Sequence, residues 1–116
     1  MTNAFDHEIA GIEGVDPARL EDAEGLAAVI VAAASASGIS PGSLPVIQRG
    51  PQGHTVGLVC LDGHLVVHSN PARGECLVDV VVRRPGRAGR GVEVIARRLG
   101  AGSRSAALPG EPPQFG

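Results

Sequence analysis

The chain has 116 residues, 43% of them apolar and 19% charged, with a formal charge of −2. That length gives one hydrophobic core and one domain, and the composition is that of a globular chain, not a disordered one. Phe5 and Phe115 are the only aromatic residues. The core must therefore be built from Val, Leu, Ile and Ala, and a site that stacks a nucleobase on a ring has almost nothing to use.

All ten basic residues are arginine. Without a lysine, a Schiff base and a Walker-type phosphate lysine are both excluded. Seven acids (Asp6, Glu8, Glu13, Asp16, Glu21, Asp22, Glu24) and one base, Arg19, fall in residues 1–25, whereas seven arginines and one acid, Glu93, fall in 83–104. Such a separation suggests self-association or an anionic partner, with two solvated faces as the plain alternative. Cys60 and Cys76 fit small buried thiols in a reducing, cytoplasmic setting. No apolar run reaches the ~18 residues of a membrane span, and the N-terminal residues lack the basic and apolar regions of a secretion signal.

Along the chain, Phe5–Ile12 reads as a strand. Asp16-Pro17 opens a helix, with Asp as N-cap and Pro at the first helical position. Leu20, Ala23, Ala27, Ile30 and Ala34 fall on one helical stripe, and Gly38 ends the helix. Residues 40–53 are rich in Ser, Pro and Gly, with a short strand at Leu44–Gln48. His54–Leu61 and His64–Ser69 are β-forming runs, and Asp62-Gly63 between them signals a hairpin. Pro71–Gly74 makes a turn before a third run, Glu75–Val82. Val92–Leu99 is a short amphipathic helix. Residues 100–116 read as a disordered tail, which leaves 1–99 as the single domain. The order predicts an α+β two-layer sandwich, an antiparallel sheet with two helices on one face. A second copy is the economical cover for the other face, so a dimer is expected.

Three chemical readings arise from the residues themselves. A zinc site from Cys60, His64, His68 and Cys76 is conceivable, but no paired short-spacing motif supports it, and buried thiols with hydrogen-bonded histidines are the simpler reading; no metal is expected. The Arg-Arg-Pro-Gly-Arg-Ala-Gly-Arg-Gly stretch (83–91) suits phosphate contacts. Nucleic acid is nevertheless not expected, because no aromatic is interleaved and the net charge is negative. A Ser/His/Asp hydrolase has no support, since Ser35, Ser37, Ser40 and Ser43 sit in helix-end or loop sequence with no nucleophile elbow.

The spacing of His64, His68, Pro71, Gly74 and Asp79 is the most specific feature of the chain. It follows a His-containing strand at His7, an Ala-rich helix over Pro17–Ile39, the Pro51-Gln52-Gly53 loop and the valine-rich Thr55–Val59. Taken together, His7 to Val82 resembles the bacterial S-adenosylmethionine decarboxylase family, the pyruvoyl enzymes of spermidine synthesis. The resemblance implies self-cleavage before a serine that becomes the pyruvoyl electron sink. In its register that serine is Gly63, preceded by Asp62. The processing serine is Thr55, the processing histidine is retained as His68, and the catalytic cysteine is Arg83, a charged group that donates protons poorly. The family's ring-bearing segments read Val46–Arg49 and Asn70 here, and its following glutamate is Ala72.

The resemblance thus implies a member without the pyruvoyl cofactor and without decarboxylase activity. Its roles would be a homodimer, a heterodimer with an active homologue, or a binder of a small anionic or nucleoside ligand. Arg49, Asn70 and His64 are the ligand-binding candidates, with His68 and Arg83 in the same cleft. The competing reading is a small anion- or nucleic-acid-binding module using Arg83–Arg98.

Overall fold

The computed structural model describes residues 3–107, with side chains described to 102. β1 (Phe5–Glu13) is followed by α1 (Pro17–Glu21) and α2 (Ala23–Ser37). Four consecutive strands come next: β2 (Val46–Arg49), β3 (His54–Cys60), β4 (Gly63–Asn70) and β5 (Glu75–Arg83). The chain then forms α3 (Ala88–Arg98) and β6 (Ser103–Ala107). The six strands make one sheet in the order β2-β3-β4-β5-β1-β6, with every pairing antiparallel. This is the expected α+β class.

Strand alternation decides which face is buried. Ala10, Ile12, Val56, Leu58, Leu65, Val67, Val78, Val80 and Val82 point to one side, where they meet Leu20, Leu26, Ile30, Val92 and Ile95 of the helices. Aliphatic and alanine side chains fill this core without a ring. Ile9, Thr55, His64, Val66, Leu77, Asp79 and Val81 lie on the opposite side, half-buried. No described element covers that face.

The local chemistry departs from the expected pattern at several points. The first helix is broken in two. Asp22 leaves helical geometry (φ −86°, ψ 88°) and its carboxylate accepts from the Gly25 N–H, so it caps α2. Asp16 caps α1 in the expected way, accepting from the Ala18 N–H at 3.0 Å. Gly38 ends α2 at φ 90°, a left-handed position that suits glycine, and its N–H reaches the Ala34 and Ser35 carbonyls. The β3–β4 turn is Leu61-Asp62, one residue earlier than expected, and Gly63 already pairs with Cys60.

α3 begins at Ala88, not Val92, because its cap comes from far away in sequence: the Ala88 N–H donates to Asp6 Oδ2 at 2.8 Å. The domain boundary at residue 99 is also corrected. β6 extends the sheet by pairing with β1 from Ile9↔Ala107 to Glu13↔Ser103. The rest of the expected tail, 108–116, lies outside the described residues. Among those residues no helix is long and apolar enough to cross a membrane.

Candidate functional site

The residues singled out from sequence divide between two ends of the open sheet face. At one end Thr55 on β3 stands opposite His68 on β4. The Thr55 Oγ1 lies 2.9 Å from His68 Nδ1. In the tautomer with a bare Nδ1 the hydroxyl donates to the ring, the geometry in which a base activates a nucleophile. No carboxylate orients the other ring nitrogen of His68 among the described residues.

At the other end lie Gly63, Asp62 and Arg83. Gly63 pairs with Val82, and a Cβ at Gly63 would sit 2.0 Å from the Val81 carbonyl oxygen. The backbone of β5 therefore occupies the space where any side chain would start. Arg83 is engaged on two sides. Its Nε lies 3.2 Å from Asp62 Oδ1, and its guanidinium stacks 4.7 Å from the centre of the Phe5 ring. Five residues of strand separate 63 from 68, roughly 17 Å. Within one chain the two ends do not meet.

Between them lies a pair that the sequence reading passed over. His7 Nε2 is 2.7 Å from Asp79 Oδ1, each side chain about a third exposed. The only sequence signal for it was strand alternation, and pairing of β1 with β5 could not be read from spacing.

The expected ligand set does not converge. Arg49 turns to the helix side and forms an ion pair with Glu24 of α2, whereas His64 and His68 face the open side. Asn70 lines a cleft of about 750 Å³ at the end of the sheet, with Glu21, the Gly50–Gly53 loop, His54 and Arg73. His54 Nε2 meets the Glu21 carbonyl at 3.0 Å, and its Nδ1 is buried with no partner among the described residues. The zinc set does not assemble either. Cys60 and Cys76 are buried in the helix-side core, away from His64 and His68. Burial holds the Cys76 thiol up to about 12 and raises Cys60 as well.

A family model described as S-adenosylmethionine decarboxylase matches residues 6–107. The chain belongs to that family. No curated protein sequence matches it. Among solved structures, the crystal structure of the adenosylmethionine decarboxylase from Aquifex aeolicus VF5 is similar, with a TM-score of 0.81 and 19% identity over 98% of this chain and 100% of that one. At that identity the likeness shows the fold, which is thus an S-adenosylmethionine decarboxylase fold.

The family's pyruvoyl group grows from a serine. The sequence register matches that serine to Gly63, which carries no hydroxyl and has β5 backbone where a side chain would begin. The residues at this position do not fit the group.

Proposed function

We propose that this member of the S-adenosylmethionine decarboxylase family leaves its backbone uncut, forms no pyruvoyl group and does not decarboxylate on its own. In this reading it serves spermidine synthesis as a partner subunit. The observation that carries the reading is the Cβ position of Gly63, 2.0 Å from a backbone oxygen. Self-cleavage by this route needs a hydroxyl to attack the preceding carbonyl, and here there is neither the hydroxyl nor room for its carbon. Decarboxylation needs an electron sink, and the chain has no lysine to build one as a Schiff base. A guanidinium makes a poor proton donor, and that of Arg83 is held between Asp62 and Phe5.

The partner role rests on the open face. It carries Ile9, Val66, Leu77 and Val81 beside the Thr55–His68 and His7–Asp79 pairs, and nothing in the described chain covers it. A two-fold pairing through this face with its axis across the strands would set the Thr55–His68 end of one copy against the Gly63–Arg83 end of the other, the self-complementary arrangement of an isologous dimer. The partner is a second copy or a homologue that keeps its serine and cysteine.

Mass spectrometry of the denatured chain tests the first claim. One species at the full 11.7 kDa is expected. Two fragments broken between Asp62 and Gly63, with the downstream one blocked, overturn it. Size exclusion tests pairing with a second copy and co-purification with an intact decarboxylase from the same cell tests pairing with a homologue; a lone monomer at high concentration that also fails to co-purify removes the partner role.

A further inference from the structure

Apart from Arg83, the arginine-rich 83–91 stretch takes no part in the reading above, and the fold gives it a definite shape. α3 buries Ala88, Gly91, Val92 and Ile95 against the core. That leaves Arg87, Arg90, Glu93, Arg97 and Arg98 exposed. Arg83 and Arg84 are spent on Asp62 and Asp6. Arg87, Arg90, Arg97 and Arg98, by contrast, have no ion pair among the described residues. From Arg87 to Arg97 the helix rises about 15 Å, so the free guanidiniums are spread along one rigid element.

The surroundings leave this face open to an anion. Beside α3, α2 exposes Ala28 and Ser35, with Ala32 and Ala36 half-buried, and none of these carries charge. The one acid among the exposed residues of α2 is Glu24, in its first turn and already paired with Arg49. The acids near α3 are Asp6 and Glu8 at its start, Glu93 on the helix itself, and Asp22, which shares a surface depression with Arg19 and Arg98 at its far end. Asp6 is committed to the Ala88 N–H and Arg84. Asp22 is committed to the Gly25 N–H as the cap of α2, which leaves Glu8 and Glu93 as the acids without a described partner beside the four unpaired arginines.

The geometry points to the outer face of α3 as a docking surface for the phosphate backbone of nucleic acid, held by Arg87, Arg90, Arg97 and Arg98. Arginine grips phosphate oxygens bidentately. Without rings this face cannot stack unpaired bases, so a duplex held through its phosphates fits it better than a single strand. A membrane surface fits less well, because the apolar side of α3 is used up in the core and no exposed apolar side chain flanks the arginines to enter a bilayer.

Fluorescence anisotropy with a labelled duplex DNA tests this on the full chain. Binding is expected at low salt. For three neutralised phosphates it should weaken about twentyfold when salt is raised threefold. The Arg87→Ala/Arg90→Ala/Arg97→Ala variant should lose binding while keeping its thermal midpoint, since all three side chains are exposed. Glu93→Gln should tighten binding. No binding at low salt, a triple variant that binds like the parent, or binding to phosphatidylserine vesicles but not to the duplex each overturns the proposal.

Discussion

Gly63 approaches the backbone of β5 so closely that its missing Cβ would stand 2.0 Å from the carbonyl oxygen of Val81. The residue is as much a packing requirement as a chemical loss. A hydroxyl cannot be restored there without moving a paired strand, because Gly63 and Val82 are register partners.

Gly63→Ser should therefore destabilise the chain by roughly 2–3 kcal/mol, the scale of overpacking a filled site. Urea unfolding measures it. The variant should still run as one uncut species in denaturing mass spectrometry. A stable, self-cleaving Gly63→Ser chain would show that β5 yields, and that the glycine alone blocks processing.

S-adenosylmethionine should give no measurable heat of binding in calorimetry. The positions that the sequence register assigns to rings are Arg49, drawn away to Glu24, and Asn70, an amide in the polar cleft. With neither ring, the adenine loses a stacking contact worth about 1–3 kcal/mol per aromatic removed. Micromolar affinity would sink the argument.

Asp6→Ala should cost about 1–2 kcal/mol in chemical unfolding, the usual value of an N-cap, because it strands the Ala88 N–H at the start of α3. Asp6→Asn keeps an oxygen acceptor and should recover most of the loss. An equal loss in both variants would shift the effect from the cap to the Arg84 ion pair.

The thiol of Cys76 makes stability fall at alkaline pH. Its ordinary value of 9.0 applies to the unfolded chain, and burial raises it to about 12 in the fold. Below pH 9 both states keep the proton and the contribution is fully present. Between 9 and about 12 the unfolded chain gives the proton up and the folded one does not. Unfolding free energy should decline across that window, and less so in Cys76→Ser. Alkylation of Cys76 at pH 8 should require denaturant.

Much of the sheet was legible in advance. The valine-rich runs and the turns between them set β3, β4 and β5, since alternation and β-branched residues are local signals. What escaped were elements made by partners distant in sequence. α3 was begun too late because Gly89 and Gly91 weaken its first turns, and the cap that rescues them is Asp6 on β1. β6 escapes because Ser, Arg and Ala have little strand preference of their own, and pairing with β1 supplies it. Asp22 reads as charge on a continuous helix, whereas its side chain turns back to the Gly25 N–H and starts a new one. The site residues were individually visible, but their grouping was not. Thr55 met His68 as hairpin register requires. The turning of Arg49 toward α2 and the clamping of Arg83 by Asp62 and Phe5 depend on which face each strand offers.

The distance between the two ends of the open face has a consequence for how they change. Within a single unpaired copy, groups roughly 17 Å apart with no shared contacts contribute to stability independently. A substitution at Gly63 or Arg83 thus leaves the hydrogen bond between Thr55 and His68 with the same strength it had before. In a Gly63→Ser/Thr55→Val double variant the two stability costs should simply sum. Inside one copy, decay at one end of the sheet exerts no pull on the other, and the hydroxyl–imidazole pair there persists without any need of the serine.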